Sequence, residues 1–114
     1  MLAAMRCDQR RIETVGEVVV RPAVPPGEGR VLDLCAGGEG VIGLLAPERV
    51  VAIDADGGEL RESPAGPLKI VMDAQRLAFA DDSFDAATCF FGLMYIPDAD
   101  LPGVFAEALR VVRP

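Results

Sequence analysis

The stretch Arg30-Val-Leu-Asp-Leu-Cys-Ala-Gly-Gly-Glu-Gly40 restricts the fold of this chain more than any other. An apolar run, Val31–Leu34, carries a single carboxylate, Asp33, and leads into Cys35, Ala36, Gly37 and Gly38. Val41-Ile-Gly-Leu-Leu-Ala46 follows, with Val41, Leu44 and Leu45 spaced for one face of a helix. The pattern is strand, glycine loop, helix, with the helix running from about Glu39 to Ala46 and stopped by Pro47. Glycines allow a tight bend and a close approach by a ligand. A helix start presents N–H groups to such a ligand.

Composition sets the outer limits. The 114 residues suffice for one domain, which buries roughly 65% of its unfolded surface. Half the residues are hydrophobic, which excludes a disordered chain. No apolar run approaches the roughly 18 residues of a membrane span, and Met1–Arg10 lacks the apolar core of a signal peptide. A net charge of −7 argues against nucleic acid as a partner. Cys7, Cys35 and Cys89 are far apart in sequence and form no CxxC pair, so the expectation is reduced, buried thiols in a cytoplasmic protein.

Residues 1–29 read as an N-terminal helical or linker segment. Ile12, Val15 and Val19 have helical spacing, against Gly16 and the Val18–Val20 run, and Pro22–Gly29 is rich in proline and glycine. The domain proper is expected over 30–114. Its second strand is Arg49–Asp54, a continuous apolar run of the kind found in parallel strands buried on both faces. A short helix over Glu59–Glu62, a third strand over Leu68–Met72, a turn at Asp81-Asp-Ser83 and a fourth strand over Phe84–Phe91 follow. The last element is a helix in which Leu101, Val104, Phe105, Ala108, Leu109 and Val112 share a face, with Asp100 as N-cap and Pro102 in the first turn. This β-α-β-(α)-β-β-α order predicts an α/β fold with a mostly parallel, doubly wound sheet. Ligands of such sheets lie outside the carboxyl ends of the strands, where Asp33, Asp54 and Asp73 fall. Capping of a strand-end turn accounts for one such aspartate, but three, with a glycine loop beside the first, are harder to explain without a ligand.

Taken together, these residues resemble a class I S-adenosylmethionine-dependent methyltransferase, of Rossmann-like fold, over residues 30–114. Val-Leu-Asp33-Leu-Cys-Ala-Gly37-Gly is similar to the family's first motif, Val-Val-Ala-Ile-Asp54 to its second, and Val-Met-Asp73-Ala through Asp-Asp-Ser-Phe-Asp85 to its third region. The resemblance implies a cofactor site made of Asp33, Ala36, Gly37, Gly38, Asp54, Ala55, Asp73, Ala74 and Phe90. Asp54 would grip the ribose diol with two oxygens, and Asp73 with the Ala74 backbone would meet the adenine edge. Asp33 and the Gly37-Gly38 amides would receive the amine and carboxylate of the methionine end. Phe90 and Phe91 would wall the methyl-transfer site or simply pack in the core. The acidic stretch 73–100 would attract the cationic sulfonium.

Three features depart from the family pattern. The third glycine position holds Glu39, with Gly40 one later. The helix after Asp54 is short and glycine-rich. The chain stops at Arg113-Pro114, before the family's fifth strand, so the resemblance implies the N-terminal part of that fold. It would be completed by a C-terminal segment or a second copy, because an apolar fourth strand would otherwise lie at the edge. Gly38-Glu-Gly40-Val-Ile-Gly43 also has the spacing of an NAD or FAD fingerprint, although Asp33 and the short crossover to Asp54 fit that poorly. A non-catalytic cofactor-binding or scaffold domain is a further reading. As an enzyme the chain would transfer a methyl group in line to a small-molecule acceptor. There is no histidine to act as base, which leaves Tyr95, Asp98 and Asp85 by position only. Phe91-Gly-Leu-Met-Tyr-Ile is similar to the matching stretch of ubiquinone/menaquinone C-methyltransferases, with Met94-Tyr95 in place of their Arg-Asn.

Overall fold

The computed structural model describes residues 22–90 and 92–114. The ambiguous stretch 1–21, with Cys7, and Phe91 lie outside the described residues. Strands β1 (Val31–Asp33), β2 (Val50–Asp54), β3 (Leu68–Val71) and β4 (Ala86–Thr88) form one sheet of order β3-β2-β1-β4, parallel throughout. Helices α1 (Val41–Leu45), α2 (Gly57–Glu62) and α3 (Leu101–Val111) complete the fold, with two 3-10 turns at Leu93–Tyr95 and Asp98–Asp100. This is the expected doubly wound α/β arrangement. The chain winds outward from β1 to β3 and then crosses back to lay β4 on the other side of β1. The direction of winding therefore reverses between β1 and β4, where such folds open a crevice.

Alternation along the strands sorts the core into two layers. Leu32, Leu34, Val51 and Ile53 face Leu77, Phe84, Val104 and Val111 on the α3 side. Val31, Val50 and Ala52 face Ile42, Ala46 and Leu60 on the side of α1 and α2. Arg110 ties α3 to the connection before β4. Its guanidinium donates to the carbonyls of Phe79 at 2.8 Å and Leu77 at 2.9 Å, and it pairs with Asp81 and Glu107. Phe79 meets Phe84 edge to face with ring centres 4.9 Å apart.

Several elements differ from expectation. Helix α1 begins at Val41 because Gly40 takes a left-handed φ of 57°. It buries Ile42 and Gly43 and leaves Leu44 and Leu45 exposed, since Gly43 packs on Pro67, where a Cβ would come within 2.8 Å of the ring. Helix α2 starts earlier than expected, at Gly57, because the Asp56 side chain caps it through the Gly58 and Glu59 amides. Strand β3 ends at Val71 and is not buried on both faces: Leu68 and Val71 are exposed at the sheet's edge. Strand β4 is three residues long, and Phe84 instead makes a single parallel bridge to Val112. Asp100 stands at the N-cap of α3 without a side-chain capping bond. The inner face of α3 is Val104, Ala108 and Val111, while Phe105 and Leu109 point outward, Leu109 at 78% exposure.

Candidate cofactor cleft

A cleft of about 800 Å³ opens at the carboxyl ends of the strands, within the usual range for small-molecule sites. Strand β1 delivers Cys35 to Glu39, β2 delivers Asp54 to Asp56, and β3 delivers Met72 to Gln75. After β4 come Phe90 and the Tyr95–Pro97 stretch, and α3 closes the far wall with Asp100 and Val104. The convergence follows from the parallel sheet, because every strand ends on the same side.

Asp54 organises the floor. Its two oxygens each accept a backbone N–H, Oδ2 from Gly37 at 2.9 Å and Oδ1 from Asp56 at 2.9 Å. It thereby fastens the glycine loop after β1 to the turn after β2. Each carboxylate oxygen has a second lone pair available, so the same group can also accept from a diol in the cleft. Gly37 adopts φ 61°, a conformation glycine takes without strain. Asp73 accepts from the Gln75 amide at 2.9 Å, which shapes the bend that brings Ala74 to the cleft.

Of the residues the resemblance implies, Ala36, Gly37, Gly38, Asp54, Ala55, Asp73, Ala74 and Phe90 line this cleft. Asp33 does not. It is 2% exposed, beneath the loop, and accepts a hydrogen bond from the Thr88 hydroxyl at 2.9 Å. Burial pushes its carboxyl up to about 6, against the lowering effect of the Thr88 bond. Among the candidate bases, Tyr95 reaches the cleft and is largely exposed. Asp98 is in the neighbouring 3-10 turn outside the lining, whereas Asp100 is part of it. Asp85 lies at the opposite end of the sheet, where it pairs with Arg113 and its amide donates to the Arg30 carbonyl. The fingerprint glycines also have other duties. Gly40 packs on Ser63 and Pro64, and Gly43 on Pro67, and neither lines the cleft, which leaves Gly38 as the one glycine of the dinucleotide pattern at the site.

Sequence reading missed Glu59. Its carboxylate accepts from the Gly38 amide at 2.9 Å, so in this state Asp54 and Glu59 occupy the two loop amides that were expected to face a ligand. The spacing Asp56-x-x-Glu59 is that of a capping box, in which the glutamate reaches back to the cap's own amide. Here Asp54 already holds the Asp56 amide, and Glu59 is free to cross to Gly38. Reading also missed Cys35, Gln75 and Val104, for which no local pattern gives a signal. Among the described residues there is no cluster of three or more potential metal ligands and no helix long and apolar enough to cross a membrane.

Residues 27–114 match a family model described as "Methyltransferase domain". The chain is 37% identical over 106 residues to the 2-phytyl-1,4-naphtoquinone methyltransferase of Synechococcus elongatus, covering 81% of this chain and 44% of that protein. It is 40% identical over 98 residues to the demethylmenaquinone methyltransferase of Mycobacterium sp. (strain KMS), covering 80% and 40%. Among solved structures it is similar to the PH0226 protein from Pyrococcus horikoshii OT3, with TM-score 0.68 and 29% identity over 77% of this chain and 46% of that one. A SAM-dependent methyltransferase from Methanosarcina mazei gives TM-score 0.64 and 27% identity over 75% and 48%. The chain spans less than half the length of each of these proteins. With the parallel sheet, its crevice and the family match over most of its residues, the chain belongs to the methyltransferase-domain family.

Proposed function

We propose that this chain is the cofactor-binding part of an S-adenosylmethionine-dependent methyltransferase that acts on a small molecule. The observation that carries the reading is the convergence of the glycine loop, Asp54 and Asp73 on one cleft of suitable size. When bound, S-adenosylmethionine supplies a methyl group already activated on a sulfonium. The protein's own part is then to hold and orient. Asp54 has lone pairs left for the ribose hydroxyls, Asp73 and the Ala74 backbone offer the adenine edge, and Phe90 and Tyr95 wall the acceptor side. The net negative charge of the chain favours a cationic ligand over nucleic acid. The names of the relatives favour a quinone-type acceptor. We place the protein in the cytoplasm, with a second copy or a completing C-terminal segment covering the exposed Leu68, Val71, Phe105 and Leu109. That exposed surface equally suits a scaffold that binds the cofactor without turnover.

Calorimetric titration with S-adenosylhomocysteine, with melting curves beside it, tests the binding reading. Wild type is expected to bind more tightly than Asp54→Asn, and Asp54→Asn more tightly than Asp54→Ala. Hydrogen bonds to a charged group contribute about 1.5–3 kcal/mol, or about one to two decades of affinity across the series. Because Asp54 also fastens the loop, a modest drop in melting temperature accompanies the loss. Unchanged affinity in a folded Asp54→Ala variant removes the reading. Transfer of label from the cofactor to candidate acceptors, quinols among them, separates enzyme from scaffold.

A further inference from the structure

Cys35 and Cys89 lie 54 positions apart in sequence, yet the fold places them side by side where the winding reverses. The ladder between β1 and β4 ends with Asp33 opposite Thr88, and the Leu34 amide donates to the Thr88 carbonyl at 2.7 Å. Both cysteines follow directly on these rungs. Strand alternation would send Cys35 to the face of Val31, away from Leu34. Its left-handed φ of 53° turns it back instead, and it packs with Cys89 against the core that contains Leu32 and Leu34. Gly92 closes over the pair. A Cβ there would come within 2.5 Å of the Cys35 Cβ and 2.9 Å of the Cys89 Sγ. Both thiols are free and half-buried.

We propose that Cys35 and Cys89 form a reversible disulfide, a redox-modification site in the wall of the cleft. The thiols already divide the labour. The hydrogen bond to Cys89, followed by burial, holds the Cys35 thiol in its protonated form. The same bond, with further help from the backbone at Gly92 and Leu93, lowers Cys89 and outweighs its burial. Because the Gly92 and Leu93 backbone bonds favour its thiolate, we assign Cys89 as the nucleophile. With a hydroperoxide as the two-electron oxidant, its thiolate attacks one peroxide oxygen. The O–O bond breaks, giving a sulfenic acid on Cys89 and a hydroxide that leaves as water with the proton Cys89 had released. The Cys35 sulfur then attacks the sulfenic sulfur, the S–S bond forms, and the oxygen leaves as a second water with the Cys35 proton. Two thiols are oxidised and one peroxide is reduced to two waters. In a reducing compartment such a bond is transient, as expected of a sensor rather than a structural bridge.

Cys35 lines the cleft and is followed by the Ala36–Gly38 loop, so the bond fastens that loop to the end of β4. Resting on the methyltransferase reading, the oxidised form is expected to bind S-adenosylhomocysteine at least about tenfold more weakly. The test uses the full chain carrying Cys7→Ser, so that only this pair can react. Hydrogen peroxide in slight excess should lower the intact mass by two hydrogens. Peptide mapping should join the Cys35 and Cys89 peptides, and dithiothreitol should reverse both changes. Sulfinic acid on unlinked cysteines, or cross-links only between chains, overturns the proposal. Cys89→Ser, which alters no residue lining the cleft, should keep the reduced affinity and lose the peroxide effect. A linked protein with unchanged affinity overturns the control of binding. Reduced protein that fails to bind at all, while still forming the bond, overturns the methyltransferase reading instead.

Discussion

Asp33 is held at about 6 because burial penalises its charge more than the Thr88 hydroxyl favours it. An acid raised in this way binds its proton more tightly in the folded state than in the unfolded one. Its contribution to stability is therefore full below the ordinary value of 3.8 and falls as pH rises through about 6. Asp33→Asn keeps an acceptor for Thr88 and removes the charge. It should stabilise the protein by up to about 3 kcal/mol near neutral pH, with the difference vanishing near pH 4. Denaturant melts at the two pH values check this, and a destabilised variant at neutral pH would show that the charge is instead needed. The contrast with Asp54 and Asp73 marks what a sequence makes legible. All three carboxylates follow apolar runs at strand ends, and that much is visible in the residues. Which of them surfaces in the cleft depends on register: Asp33 and Asp54 each end their strand, but Asp33 lies level with Ala52, two residues short of Asp54 and flanked by β2 and β4.

At the scale of elements, every strand and helix of the described domain was legible in outline, because parallel strands announce themselves as short apolar runs. The orientation of the helices was not. α1 turns Leu44 and Leu45 outward because Gly43 and Pro67 allow the closest approach, and α3 turns Phe105 and Leu109 outward in favour of Val104 and Val111. Periodicity identifies a helix, but the choice between two apolar faces is made by the neighbour it meets. Helix α2 brings a consequence for binding through Glu59. Its carboxylate holds the Gly38 amide, which the carboxylate of an amino-acid-bearing ligand would also seek. Glu59→Gln weakens that competitor and is expected to tighten S-adenosylhomocysteine binding by about fivefold, the equivalent of roughly 1 kcal/mol. Weaker binding in the same titration would mean that Glu59 serves the ligand's amine instead.

At the scale of the molecule, large apolar side chains stand exposed among the described residues at Leu44 and Leu45 on α1, Leu68 and Val71 on β3, Met94 and Tyr95 in the turn after β4, and Phe105 and Leu109 on α3. Exposed side chains of this size favour association or low stability. Light scattering and a thermal melt of the 114-residue chain should show an oligomer or a broad, low transition, whereas a sharply melting monomer would show the chain to be self-sufficient. The Arg110 guanidinium that joins α3 to Leu77 and Phe79 has a further effect, on motion. Val104 on the same helix is part of the cleft wall. That wall does not breathe alone, since lifting α3 also breaks the bonds that hold the connection before β4. Among the described residues, the turns at 92–97 are held by short-range bonds, the amides of Tyr95 to Gly92 and Ile96 to Leu93 and the Gly92 and Leu93 backbone against Cys89, and such local bonds open at less cost. The two sides of the cleft thus keep different clocks, a slow one set by a guanidinium and a fast one set by two turns.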